Sequence, residues 1–247
     1  MRLAILTDLH SNREAVEAVL EHAASQGADT YAFLGDLVGY GADPGWVIDT
    51  VRAHAERGAQ VVLGNHDEAA FQAERPDMTP AAREAVAWTR SQLNESQLGY
   101  LRALPFKRSI GEVELVHANA WEPAAWGYID GTMEAMRSMQ ATRAQLTFCG
   151  HMHTPALYHM TMTGKTGCFT PSSDAAIPLS RQRRWLAIPG AVGQPRDGNP
   201  AAAYALFDMA SWELRFFRIP YDVQSAADKI RAAGLPPALA QRLLTGN

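Results

Sequence analysis

Cysteine is scarce, with Cys149 and Cys168 the two in 247 residues. Two thiols cannot build a disulfide framework. Both are expected to be reduced, small core residues. Long apolar runs are missing as well. None approaches the roughly 18 residues needed to span a bilayer, and the apolar stretch at residues 3–6 is broken by Asp8 and His10, with no charged leader or small-residue cleavage site. A cytoplasmic protein without membrane contact is expected. Charge of one sign is also lacking: 22 Lys and Arg stand against 26 Asp and Glu, a formal net charge of −4. That balance argues against a broad surface tracking nucleic-acid phosphates, though it leaves room for a local basic patch. Internal repeats and low-complexity linkers are absent. The 47% hydrophobic and 19% charged residues exclude a disordered or collagen-like chain, and the length suits a single domain over residues 1–247.

What is present is an alternating pattern. Residues 2–7 read as a buried strand, and residues 13–25 as an amphipathic helix through Ala15, Val16, Val19, Leu20 and Ala23. Strand 30–34, helix 44–57 and strand 60–63 complete a βαβαβ unit, hence parallel strands. Helices follow at 80–93 and 97–104. A hairpin at 106–110 and 112–116, a helix at 133–139, and strands at 145–149, 156–162, 184–188, 202–208 and 212–219 precede two C-terminal helices. Residues 163–183, rich in Gly, Thr, Ser and Pro, are expected to form a surface excursion.

Polar residues collect where these strands end. The first strand runs into Asp8-Leu9-His10, the second into Gly35-Asp36, and the third into Gly64-Asn65-His66-Asp67. The strand before His117 and the one before Gly150-His151-Met152-His153 supply three more imidazoles. Ligands of an open parallel sheet bind beyond the carboxyl ends of its strands, so these groups should converge. Asp8 and His10, like His151 and His153, lie two apart, which in extended backbone puts both on one face. Carboxylate, imidazole and amide oxygen suit Mn²⁺, Fe²⁺, Ni²⁺ or Zn²⁺ better than an all-oxygen ion.

In this order the motifs Asp-x-His, Gly-Asp, Gly-Asn-His-Asp, an isolated His and Gly-His-x-His resemble the calcineurin-like metallophosphoesterase superfamily over residues 3–155. The stretch 188–197, IPGAVGQPRD, resembles the C-terminal part of its small prokaryotic phosphodiesterase-type members. The resemblance implies a four-layer α-β-β-α sandwich with two mixed β-sheets. It also implies two divalent metal ions. Asp8, His10 and His153 would bind the first, Asn65, His117 and His151 the second, and Asp36 would bridge them. A hydroxide bridging the two cations would attack a phosphodiester or phosphomonoester in line, the diester being favoured and a nucleotide substrate being compatible. His66 would assist at a phosphate or leaving oxygen.

One departure concerns His66. Many members have Gly-Asp-x-x-Asp, whose second carboxylate holds this histidine, but Gly39 stands there in this chain. Asp67 or a distant residue would have to serve instead. Trp121, with Trp126 and Tyr128, forms either a hydrophobic plug or a wall for a flat substituent. Arg196 could hold a substrate phosphate or pair with Asp197. His22, His54 and His159 are expected to be structural or solvent-facing, and the Arg181–Arg184 cluster a solvated face. A rival reading is a non-catalytic, protein-binding scaffold of the same fold, as in relatives that have lost ligands. Completeness of the ligand set favours the enzyme. Small phosphoesters are the expected partners, with no nucleic acid and no membrane; oligomeric state is not legible.

Overall fold

The computed structural model describes residues 1–72 and 78–247. β1 (Arg2–Leu6), α1 (Arg13–Ser25), β2 (Thr30–Phe33), α2 (Pro44–Ala55) and β3 (Gln60–Val61) open the chain, and the three strands are parallel as the spacing predicts. The Asn12 carboxamide caps α1 by accepting a hydrogen bond from the Ala15 amide at 3.1 Å. Pro44 starts α2, where its missing N–H would have been unpaired in any case. Next come α3 (Asn65–Phe71), α4 (Pro80–Gln92), α5 (Glu95–Arg102), β4 (Lys107–Ile110), β5 (Val113–Val116), α6 (Thr132–Gln140) and β6 (Leu146–Phe148). The chain finishes with β7 (Ala156–Thr161), β8 (Thr166–Phe169), β9 (Ile177–Pro178), β10 (Arg183–Ile188), β11 (Ala202–Asp208), β12 (Glu213–Ile219), α7 (Val223–Ala232) and α8 (Pro237–Thr245).

Two six-stranded sheets result, in the orders β3-β2-β1-β11-β12-β9 and β4-β5-β6-β10-β7-β8. Both are mixed. β1 pairs in parallel with β2 and antiparallel with β11; β6 is parallel to β5 and β10, while β10 is antiparallel to β7. The period-2 alternation of β1 explains the layering. Leu3 and Ile5 pack between the sheets with Leu146, Phe148 and Phe207, whereas Ala4 and Leu6 face the helices, against Val16, Val19, Val47 and Ile48. Burying a side chain of this size contributes roughly 1.5–3 kcal/mol. A one-residue slip would exchange the two faces, so the register of β1 is firmly fixed. On the outer face of the second sheet, Ala135 and Met139 of α6 cover Cys149, Leu186 and Ile188. These contacts give the expected α-β-β-α sandwich.

Several local expectations change. β3 ends at Val61, and α3, absent from the sequence reading, begins at Asn65. The excursion at 163–183 contains edge strands β8, paired with β7, and β9, paired with β12. Cys168 lies on β8 and is exposed, not in the core; Cys149 is buried as expected. Both thiols are free. Among the described residues no helix is long and apolar enough to cross a membrane.

Candidate metal centre

The loops after β1, β2, β5 and β6 and the start of α3 meet at one end of the sandwich, where the carboxyl ends of the parallel strands of both sheets converge. Asp8, His10, Asp36 and His153 bring one ligand atom each within 4.8 Å of one another, and so do Asp36, His117 and His151. Asp36 belongs to both groups. Its Oδ2 lies 3.7 Å from His10 Nε2 and 3.4 Å from His117 Nε2, while its Oδ1 accepts the His66 backbone N–H at 2.8 Å. Asn65 joins the second group, with Oδ1 3.0 Å from His117 Nε2. All seven predicted ligands therefore come together.

Backbone carbonyls set the orientation of three of the imidazoles. His10 Nδ1 donates to the Val38 oxygen at 3.1 Å, His117 Nδ1 to Leu34 at 2.7 Å, and His153 Nδ1 to Gln194 at 2.6 Å. Each acceptor has no proton to give, so the proton sits on Nδ1 and Nε2 is left as a lone-pair donor aimed inward. His151 is turned the other way, with Nδ1 3.2 Å from His117 Nε2. The Nε2 atoms of His10 and His153 face each other at 3.1 Å. Two lone pairs at that distance repel unless a cation or proton lies between them. Such spacings are near the edge of a coordination polyhedron with bonds of about 2.1 Å. Asp8 adds a second sign: its Oδ2 accepts from the Thr7 hydroxyl and the His151 amide, but its buried Oδ1 has no hydrogen-bond partner and lies 3.2 Å from His153 Nε2. The donor set fits a pair of divalent cations.

The sequence spacing delivers these ligands differently from the expectation of extended backbone. Asp8, His10, Asp36, His151 and His153 all have positive φ, between 46° and 66°. A non-glycine residue in the left-handed region costs of order 1–3 kcal/mol, so the chain accepts strain at five proposed ligands. Close nesting also matters: a Cβ on Gly150 would come within 2.6 Å of Asp8 Oδ2 and closer still to Thr7 Oγ1.

Charge is arranged to match. Burial raises the Asp8 and Asp36 carboxyls, but His153 beside Asp8 and His117 beside Asp36 outweigh it and hold both below the ordinary range. Burial lowers His117, yet the Asp36 and Asp8 carboxylates push it up to about 9. For His151, burial and then His117 bring the pKa down to about 3.

His66 is buried at the start of α3, and its Nδ1 has no hydrogen-bond partner among the described residues. Asp67 does not serve it. That carboxylate accepts the Leu37, Val38 and Gly64 amides at 2.8, 3.1 and 3.0 Å, tying α3 to the loop after β2. Asp197 is likewise engaged elsewhere, in an ion pair with Arg218. The Arg196 Nε is buried with no acceptor among the described residues, and its guanidinium donates to Gln194 Oε1 at 3.2 Å. Trp121 packs under the Arg137 guanidinium and against the same cluster as Met136. Trp126 and Tyr128, with Met78 and Ala82, instead form the apolar side of a cleft of about 130 Å³ whose polar side is Asn65, His66 and His151. Sequence reasoning missed Tyr40, which also lines the cleft, and the carbonyl acceptors, which no side-chain pattern could reveal.

Comparison with known proteins agrees with this geometry. Residues 1–211 match the family model described as the calcineurin-like phosphoesterase superfamily domain, a dinuclear-metal-dependent family. A metallophosphoesterase from Sphaerobacter thermophilus is 35% identical, with a TM-score of 0.88 over 100% of this chain and 99% of that one. An uncharacterized protein of Methanocaldococcus jannaschii is 31% identical over 99% of this chain and 98% of its own. A hypothetical protein from Pyrococcus horikoshii OT3 shares the fold at 19% identity, with a TM-score of 0.79 over 100% of this chain and 98% of that one.

Proposed function

Because the chain belongs to the calcineurin-like phosphoesterase superfamily, we propose that it hydrolyses a small phosphoester with two divalent cations, diesters in preference to monoesters, nucleotides among them. The observation that carries this reading is the position of Asp36, shared by both ligand groups. Asp8, His10 and His153 would hold one cation, Asn65, His117 and His151 the other, with Asp36 between. Mn²⁺, Fe²⁺, Ni²⁺ and Zn²⁺ suit this mixed nitrogen and oxygen set, and Mn²⁺ is the first to try. When bound, such a pair supplies Lewis-acid charge and a nucleophilic water at neutral pH.

The chain's own groups do the rest. Leu34, Val38 and Gln194 hold the ligand tautomers through their carbonyls. His66, with Nδ1 turned to the protein, offers Nε2 to a phosphate oxygen or to the departing ester oxygen. The unmatched Nε of Arg196 is a second donor for the phosphate. Met78, Ala82, Trp126 and Tyr128 give the second ester group of a diester an apolar surface, which supports diester preference. Trp121 does not line that cleft and has no part in this reading. Both sheets contribute to one interior cluster, which supports treating residues 1–247 as one domain.

The test is a parallel assay of bis-p-nitrophenyl phosphate and p-nitrophenyl phosphate with added Mn²⁺, followed by a nucleotide panel. Asp36→Ala and His151→Ala should abolish turnover and lower bound metal. Wild-type turnover persisting in metal-stripped buffer would overturn the proposal.

A further inference from the structure

In the proposed reaction His66 must be aimed, yet among the described residues no carboxylate or carbonyl holds its Nδ1. Asp67 is occupied by three amides. An acidic side chain at position 39 is also excluded by space: Gly39 has φ +91°, and a Cβ there would stand 2.7 Å from His66 Nδ1. The imidazole edge therefore rests directly on the glycine backbone.

The next residue fills the remaining space. Tyr40 is 8% exposed and is itself held at φ +63°, a conformation unfavourable for a bulky side chain. Its ring centroid lies 4.4 Å from that of His66 at 57° and 4.6 Å from that of His10 at 51°. His10 meets His66 edge-on at 5.0 Å and 87°. The Arg196 guanidinium carbon is 5.9 Å from the Tyr40 centroid. Behind the ring, Ala82 of α4, Ala226 and Ala227 of α7 and Leu239 of α8 pack with Tyr40 in one cluster. The phenol is thus a rigid wedge backed by three helices, with one side facing the site.

We propose that Tyr40 is the positioning residue for His66, fixing the imidazole by ring packing against the Gly39 backbone where other members use a carboxylate. This inference rests on the phosphoesterase reading for its kinetic test, but the placement of the ring can be tested without it. Strained backbone at Tyr40 fits a local conformation retained for what it orients.

Tyr40→Phe, Tyr40→Leu and Tyr40→Ala should be compared with wild type and with His66→Ala, measuring kcat, KM, metal content and the His66 ring position in crystals. Tyr40→Ala should lower kcat at least about tenfold with metal content unchanged, and Tyr40→Phe should restore kcat to within about threefold of wild type. In the His66→Ala background the change from Tyr40 to Ala should alter kcat by less than about twofold, since a residue acting through another shows no independent effect. In crystals the imidazole should leave Gly39 in Tyr40→Ala and stay in Tyr40→Phe. Should Tyr40→Ala not fold, Tyr40→Leu, which keeps apolar volume but not a flat ring, takes its place. Wild-type kcat in the Ala and Leu variants, an undiminished effect without His66, or an unmoved imidazole overturns the inference. A wild type that hydrolyses no phosphoester sinks the functional reading instead, and the crystallographic comparison still decides the positioning role.

Discussion

His117 holds its proton more tightly than His10 or His151, because burial pulls it down less than the Asp36 and Asp8 carboxylates push it up, to about 9. A cation needs the neutral imidazole, so binding at pH 7 must expel that proton. Metal affinity should therefore increase with pH up to about 9 and level off above it. Titration calorimetry with Mn²⁺ in buffers of different ionisation enthalpy would show the released proton; a pH-independent affinity would contradict the assignment. At Gly39 the expectation is steric. Gly39→Ala adds a Cβ at φ +91° and 2.7 Å from His66 Nδ1, so kcat should fall at least about tenfold, with a stability loss of order 1–3 kcal/mol from the backbone alone. Steady-state kinetics at equal metal content would check it. The ligands were legible because most follow a strand whose apolar run is easy to read, as with Asp8 after β1 and His117 after β5, and because their order along the chain resembles the family's motifs. Tyr40 was not, because a tyrosine between two glycines carries no chemistry until its neighbours in space are known.

Helix α3 places Asn65 and His66, and Asp67 anchors the helix. Asp67→Ala would strand the buried Leu37, Val38 and Gly64 amides that it now satisfies. A buried donor left unpaired costs about 1–3 kcal/mol, so the variant should lose several kcal/mol in denaturant unfolding and Asp67→Asn considerably less. Equal losses would show that hydrogen bonding is not what Asp67 supplies. The sequence reading ran a strand into this stretch and marked no helix, since Asn-His-Asp-Glu offers no apolar period and α3 has only seven residues. Edge strands β8 and β9 escaped for a similar reason: short, exposed, and rich in Gly, Thr and Pro, they lack the alternation that marks a half-buried strand. The long elements α1, β11 and β12 were read nearly to the residue, because their periodic faces are wide and fully buried.

For the molecule as a whole, the metal-free protein should be most stable near neutral pH. His117, raised in the fold, contributes stability that is full below about 6.5 and lost as pH rises through about 9. His10, His66 and His151, all lowered chiefly by burial, contribute stability present above about 6.5 and lost as pH falls. Asp67, pushed up to about 7 by burial and the neighbouring Asp36 carboxylate, acts in the opposite sense below neutrality, one group against three. Loading with Mn²⁺ should remove the alkaline decline, as thermal unfolding from pH 5 to 9 would show; an unchanged decline would mean that His117 is not a ligand. The sandwich was expected from the family resemblance, with the alternating pattern in support, whereas the crossover pairing was not legible, because no local pattern encodes which distant strand fills a gap in a sheet. That crossover governs when the protein comes into being. β1 is made well before β11, with which it pairs near residue 205, and the Gln194 carbonyl that steers His153 is made only shortly before β11. Contacts of such long sequence separation form slowly. On the ribosome Asp8 and His10 therefore wait for about two hundred further residues, so cations can meet a complete site only after β11 has been made, and a nascent chain halted before it would bind them poorly.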